Sequence, residues 1–390
     1  MKRKVHIISK YFYTVTAGIE NNIEKTYSVL AEKEWDVTVH TSKDTYGKKD
    51  VLSDRDFVKN INVKRYKYHK FGFFPKIDFK KADFICLHNF DIFPHLIILI
   101  YSFFLKILGR KRFTIILTPH GGFTPEWRVF PKNQAFFKYI YQVTLGTFLI
   151  NFVVDGIRAV SPWEKKEMIK KGIDPKKVKL ISNGLEDEAY LDVDRLVGKA
   201  VKSKVRKLGD YIIQIGRVCP IKNQETAIRA LSKIPGNLKF IIVGPSQGDE
   251  YKKKLVSLSK DLNLSKRVNF LGVVRGIDKY YLIKHAKVMV HMAIWEANCN
   301  VIHEAWSQHL ICVTGNEAGL SVQIKNNING YKLPVFDDEA VSQKIKFVLK
   351  NYNSPKLNKI RENNMNYVKN HSWRKVAERM ERYYEEVKTH

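Results

Sequence analysis

Residues 286–316 read AKVMVHMAIWEANCNVIHEAWSQHLICVTGN. Residues 287–292 are a short β-rich run suited to a buried strand, and 310–314 are a second such run, closed by Gly315. Between them lie a polar turn at 296–300 and a short helical segment at 301–309. Strand, loop, helix, strand is the repeating unit of a parallel α/β sheet. In such units the loop after a strand and the first helical turn face a ligand crevice, where free backbone N–H groups favour an anion. This loop and helix carry two carboxylates, Glu296 and Glu304. Beside an anion they are repulsive, but a carboxylate also accepts two hydrogen bonds from a diol. The pattern therefore suits a ligand that is part phosphate and part polyol. The alternative is that Glu296 and Glu304 are solvated charges at a helix entry, complementing its dipole.

At 390 residues the chain has room for two domains, and a hydrophobic content of 44% with 27% charged residues makes it globular rather than disordered. The net charge of +29 is spread along the chain and is not confined to a tail. A basic surface is compatible with nucleic acid, an anionic membrane or anionic small molecules as partners, and selects none of them. No pair among Cys86, Cys219, Cys299 and Cys312 has metal-ligand spacing, so free thiols in a reducing compartment are expected. The apolar run after Met1 is too short for a signal peptide, and the apolar core of residues 90–108 is too short to span a bilayer. A buried helix is expected there; the alternative is a membrane-surface helix, helped by the flanking Lys106, Arg110, Lys111 and Arg112, so the expected location is cytoplasmic with a peripheral membrane role as the variant.

Outward from the opening stretch, the same alternation recurs. Residues 5–9, 36–41, 83–87, 113–118, 156–161 and 178–181 read as strands, with helices over 19–33, 90–108, 133–153 and 161–171. Residues 48–81 are polar, basic and aromatic; Phe71, Phe73 and Phe74 beside Lys70 and Lys76 suggest either an insertion packed on the domain or a loop facing lipid or nucleic acid. A second series has strands at 211–215, 239–243 and 268–271 and helices at 224–232, 250–262 and 279–286. Residues 186–207 show little periodicity and read as a linker. The organisation expected is a Rossmann-like domain at 1–187, a linker at 188–207, a second Rossmann-like domain at 208–370 and a C-terminal helix at 371–390 with Ser372 as its N-cap.

Two further loops carry chemistry. Thr118-Pro119-His120-Gly121-Gly122 puts a histidine at the carboxyl end of a strand, before two glycines, where it faces the crevice. Gly216-Arg217-Val218-Cys219-Pro220-Ile221-Lys222-Asn223 follows a strand and precedes a helix, placing a guanidinium fork and an ammonium at a crevice mouth. That pair fits a diphosphate held without metal. Asp192 and Asp194 have acidic-x-acidic form but lie near the linker and are not taken as a metal site.

Taken in order, these segments resemble the retaining glycosyltransferases of family 4. The resemblance rests on Ala17-Gly18-Ile19-Glu20, Thr118-Pro119-His120-Gly121, Ala159-Val160-Ser161 with Ile181-Ser182-Asn183-Gly184, Gly216-Arg217 with Lys222, and Glu296 to Glu304 with Asn300-Val301 in register. Each is weak alone; five in order are specific. The family's Glu-Gly-Phe segment reads Glu296-Ala297-Asn298 here, and its Ala-Met-Ala-x-Gly reads Ala305-Trp306-Ser307-Gln308-His309, which changes the wall expected around the donor sugar.

The resemblance implies an α/β fold of two Rossmann-like, doubly wound domains facing across a cleft (GT-B), with the C-terminal helix packing back on the first domain. It implies transfer of a sugar from a nucleotide diphosphate sugar to a glycan or lipid-linked acceptor hydroxyl, with retention and without a metal or other cofactor. Glu304 would hold the ribose; Arg217, Lys222, Gly18, Asn300 and Val301 the diphosphate; Glu296 and His120 the donor sugar near the reacting carbon. The rival readings are a GT-B-type sugar-nucleotide epimerase or phosphorylase, and a basic nucleic-acid-binding protein. The last lacks any helix-turn-helix, zinc or RNA-recognition signature, so no nucleic-acid partner is expected.

Overall fold

The computed structural model of the chain describes residues 2–15, 18–45, 48–70, 72–90, 92–123, 127–128 and 131–388. The first half runs β1 (Lys4–Ile8), α1 (Gly18–Glu32), β2 (Asp36–Ser42), β3 (Arg55–Val58), β4 (Ile61–Tyr66), β5 (Phe84–His88), α2 (His95–Ile107), β6 (Thr114–Thr118), α3 (Lys132–Tyr141), α4 (Thr147–Val153), β7 (Gly156–Ala159), α5 (Pro162–Lys170) and β8 (Val178–Leu180). A π-helical turn, Gln142–Gly146, joins α3 to α4. The strands form one sheet of order β3-β4-β2-β1-β5-β6-β7-β8, parallel except for the β3–β4 hairpin at its edge. β5 and β6 are buried at every residue, as a strand covered by helices on both faces must be. Alternate side chains feed two cores. Val5, Ile7, Val37, Val39 and Phe84 pack against α1 on one face. Ile8, Ile85, Leu87, Ile115 and Leu117 pack against α2 and α4 on the other.

The second series begins earlier than the sequence suggested. The 188–207 stretch is not a linker: a 3₁₀ turn at Asp187–Tyr190, α6 (Val193–Leu196) and α7 (Lys199–Leu208) occupy it. Ala189, Val193, Val197 and Val205 enter the second core, with Val201 packed against it. Val193, Val197, Val201 and Val205 are divided between α6, the extended break after it and α7, and the surrounding lysines hide these apolar positions in the composition. There follow β9 (Tyr211–Ile215), α8 (Gln224–Ser232), β10 (Lys239–Val243), α9 (Glu250–Asp261), β11 (Val268–Gly272), α10 (Gly276–Lys284), β12 (Val288–His291), α11 (Asn300–Ser307), β13 (Cys312–Gly315), α12 (Ala318–Gln323), β14 (Tyr331–Leu333), α13 (Asp338–Lys350) and α14 (Pro355–Val368). The six strands lie in the order β11-β10-β9-β12-β13-β14, and all pairings are parallel.

The last helix, α15 (Trp373–Lys388), leaves this unit and returns to the first. Val376, Ala377, Met380 and Tyr384 pack into the β1–β2–α1 core. The compact units are therefore Met1–Gly184 with Trp373–His390, and Leu185–Ser372. The polar, aromatic region after β2 is not a free insertion. Part of it extends the first sheet through β3 and β4, and Phe73 is fully buried while Phe74 is exposed. Phe71 and Ala17 lie outside the described residues.

Candidate functional site

In a doubly wound sheet the crevice opens where the winding reverses, beyond the carboxyl ends of the two strands on either side. In the second unit that point lies between β9 and β12, which pair directly. The loops leaving these strands, residues 216–223 and 292–299, hold the residues of interest. Lys222 donates to Glu296 Oε1, and His291 Nε2 lies 3.0 Å from the same oxygen. The Lys222 and Glu296 side chains are only 14% and 15% exposed. Burial by itself would raise the Glu296 pKa. The Lys222 charge and the His291 hydrogen bond outweigh it and hold the carboxyl at about 2. Burial keeps His291 neutral by lowering its pKa against the pull of Glu296. Glu296 is thus a carboxylate whose Oε1 faces Lys222, His291 and, at 3.9 Å, the Cys299 thiol.

The loop is held from behind. Asn223 adopts a left-handed conformation (φ +46°), caps α8 through its side chain, and donates to Met292 O and Val335 O. The Gly319 N–H donates to Glu296 O at 2.7 Å. A Cβ on Gly319 would stand 2.3 Å from Ala297 O, so only glycine lets α12 approach the Glu296 loop this closely. Gln323 grips the other side, accepting from Cys299 N–H and donating to Cys299 O.

α11 begins at Asn300, and the side chain of its N-cap residue, Cys299, makes no capping hydrogen bond. One turn on, Glu304 Oε1 lies 3.2 Å from Lys279 of α10, whose ammonium also meets Glu186 Oε2 at 3.0 Å. Burial lowers the Lys279 pKa, but the attraction of the two carboxylates more than compensates and raises it. Glu304 Oε2 is buried and has no hydrogen-bond partner among the described residues. A buried carboxylate oxygen left open is costly unless a donor arrives. The Arg217 side chain donates to Gln247 Oε1 at 2.9 Å.

His291, Glu296 and Cys299 come close enough to be considered as metal ligands. The residues fit that role poorly. Lys222 already takes the Glu296 oxygen, and burial pushes the Cys299 thiol far up, away from the thiolate a metal requires. Asp192 caps α6, and Asp194 is engaged by Lys284 and His285, so both are structural.

In the first unit the switch lies between β1 and β5. His120, in the turn after β6, has φ +52°, and its Nε2 meets His88 Nδ1 at 2.9 Å. His88 closes β5; its Nε2 meets Tyr27 OH at 3.0 Å, and Tyr27 meets Tyr384 OH at 2.7 Å. Burial, and then the Arg158 charge, lowers His120 to about 3, so it is a neutral imidazole. Glu164, one turn into α5, accepts from the Gly121 and Val160 N–H groups and so clamps the His120 turn to the end of β7. Burial raises this carboxyl to about 7 in spite of those donors. Gly18 is exposed at the start of α1.

The structure therefore brings Lys222 together with Glu296, and Asn300 and Val301 into the turn that leads to Glu304. The described side-chain partner of Arg217 is Gln247, and His120 and Gly18 belong to the other unit. Sequence reasoning missed His291, Lys279, Glu186 and Glu164. A histidine ending the strand before the Glu296 loop, and the Ser161-x-x-Glu164 capping spacing, were the signals available for two of them.

The comparisons with known proteins follow this division. Residues 16–189 match the family described as Glycosyltransferase Family 4, and residues 199–367 match Glycosyl transferases group 1. A UDP-Gal:alpha-D-GlcNAc-diphosphoundecaprenol alpha-1,3-galactosyltransferase of Escherichia coli is 27% identical over 174 residues, 43% of this chain and 44% of the relative. An N-acetylgalactosamine-N,N'-diacetylbacillosaminyl-diphospho-undecaprenol 4-alpha-N-acetylgalactosaminyltransferase of Campylobacter jejuni is 24% identical over 223 residues, 56% and 58% of the two chains. The matched part thus spans about half the length of these curated relatives. Among solved structures, Anabaena Alr3699/HepE in complex with UDP and glucose superposes with a TM-score of 0.74 at 16% identity, over 98% of this chain and 100% of that one. At that identity the likeness establishes the fold, the GT-B pairing of two Rossmann-like domains. With both halves matched in order, the chain belongs to the family 4, group 1 glycosyltransferases.

Proposed function

We propose that the protein transfers a sugar from a nucleotide diphosphate sugar to an acceptor hydroxyl, with retention of anomeric configuration and without a metal. The observation that carries this reading is the switch point of the second sheet. There an ammonium, a carboxylate kept ionised and an uncapped helix start converge, with a second carboxylate oxygen left open one turn away. Glu304 Oε2 accepts from a ribose hydroxyl, which satisfies the one oxygen that Lys279 leaves bare. The first N–H groups of α11, at Asn300 and Val301, receive the diphosphate. Lys222 and Arg217 stabilise the charge that grows on the leaving diphosphate, the role that a metal plays elsewhere. Before the donor binds, Glu296 keeps the Lys222 ammonium compensated and in place. With the donor bound, Glu296 orients the sugar's hydroxyls.

The nucleoside is uridine in this reading, supported by the UDP and glucose bound in the fold neighbour. The acceptor is a lipid-linked sugar hydroxyl, supported by the diphospho-undecaprenol substrates named for two relatives. The test is a thermal-shift screen over nucleoside diphosphates, followed by incubation with UDP-sugars and a lipid-linked acceptor in excess chelator. Stabilisation by UDP and a product with the donor's anomeric configuration by NMR are expected. An inverted product, a strict divalent requirement, or release of an epimerised nucleotide sugar or a sugar phosphate would each overturn part of the reading.

A further inference from the structure

The helical layer formed by α2 and the α3–α4 pair is apolar on both sides. Inward, Ile98, Leu99, Leu149, Ile150 and Val153 fill the core beneath the sheet. Outward, where a surface helix should be polar, α2 presents Ile100 and Tyr101, then Phe104 and Ile107 one and two turns on, all exposed. The neighbouring pair continues the stripe with Phe136, Phe137, Ile140, Val143 and Phe148, exposed again at helical spacing. Phe137 and Phe104 are 66% and 57% exposed. The two stripes are joined, because α2 packs on α4: the Phe103 ring lies 6.0 Å from Phe148 and 5.2 Å from Phe152. A continuous apolar face of this kind marks an interaction surface.

The charge around it selects the occupant. Residues 92–154 contain seven Lys and Arg and a single carboxylate, Glu126. At the rim, Asp155 is already taken by Lys111 and by the Ile115 N–H. Arg110 and Arg112 at the end of α2 and Lys132 at the start of α3 are exposed. A second copy of the chain would bring a like-charged face against this one. A bilayer rich in anionic headgroups would instead complement it, taking the cations at the headgroups and the aromatic rings at the acyl boundary. No helix among the described residues is long and apolar enough to cross a membrane, so contact would lie in the plane of the surface.

We propose that the outer face of α2, α3 and α4 is the docking surface of this protein for an anionic lipid bilayer. The proposal stands on this face alone and does not depend on the transfer reaction. The experiment is vesicle flotation of the full chain with phosphatidylglycerol and phosphatidylcholine in equal parts, and with phosphatidylcholine alone. Wild type is expected to float with the anionic vesicles and to be released by salt. The double variant Phe104→Ser, Phe137→Ser and the double variant Arg110→Glu, Arg112→Glu should each lower the partition coefficient at least about tenfold. Both pairs are exposed, and an unchanged melting temperature with an unchanged shift on adding UDP shows that fold and donor site are intact. A wild-type shift with UDP but no flotation overturns the docking surface and leaves the enzymatic reading standing. Equal flotation on phosphatidylcholine alone, or by the charge-reversed variant, overturns the anionic assignment. Self-association that Phe104→Ser, Phe137→Ser abolishes assigns the face to a second copy instead.

Discussion

Replacing Lys222 by methionine keeps the length of the side chain and removes its charge, so it isolates what the ammonium does. In the wild type the Glu296 carboxyl lies at about 2, against an ordinary value of 4.5. A folded-state pKa below the unfolded one contributes stability that is fully present above about 4.5 and is lost as the pH falls toward 2. The difference corresponds to about 3 kcal/mol at neutral pH. Burial opposes this lowering, and Lys222 is the foremost of the groups that outweigh it, followed by His291. With Lys222 gone, burial faces His291 alone, so the Glu296 pKa should rise. The His291 pKa, which the Lys222 charge also depresses, should rise with it. The pair can then share a proton, which limits the loss to about 2 kcal/mol at pH 7. Urea unfolding at a series of pH values is the assay. Lys222→Met should unfold at a lower urea midpoint at pH 7, and its stability should fall less steeply than wild type between pH 4.5 and 2. Turnover should drop about a hundredfold or more if the same ammonium stabilises the leaving diphosphate. An unchanged midpoint and an unchanged acid limb would refute the assignment of Lys222 as the counter-charge that keeps Glu296 ionised.

Arg217→Ala should leave the melting temperature within about 1 °C of wild type, since the one described hydrogen bond of its side chain, to Gln247, is on the surface, yet cut turnover about a hundredfold. Lys279→Met leaves Glu186 and Glu304 without their shared cation. It should cost about 2–3 kcal/mol of stability and weaken UDP binding at least about tenfold by calorimetry, with Glu304→Gln weakening binding at a smaller stability cost. Glu164 shows the opposite linkage to Glu296. Its carboxyl is raised to about 7, so its contribution is greatest below about 4.5 and declines as the pH rises through 7. Glu164→Gln should remove up to about 3 kcal/mol of that slope in a pH series of unfolding midpoints; a slope identical to wild type would locate the titration elsewhere.

The strands that were legible in the sequence are those buried on both faces. β5, β6, β9 and β10 read as continuous apolar runs because helices cover both sides of the sheet. The hairpin β3–β4 was not legible. Its inward positions include Arg65, 5% exposed, which donates to Tyr13 O and pairs with Asp56, so a charged residue stands where alternation calls for an apolar one. The 188–207 region was misread for a related reason: Val193, Val197, Val201 and Val205 are enough to seat this segment on the second core, but too few to shift the composition.

At the site, residue type and loop position singled out Lys222, Glu296 and Glu304 without a structure, because the strand–loop–helix order determines which loops open at the carboxyl end of a parallel sheet. Which charges meet is a different question. Lys222 and Glu296 are 74 residues apart in sequence and are joined only because β9 and β12 are neighbours at the switch point. Glu304, eight residues beyond Glu296, answers instead to Lys279 on α10 and to Glu186 before α6. Spacing along the chain is local and can be read from sequence. The partner of a buried charge is set by strand order and helix packing, and these belong to the tertiary structure.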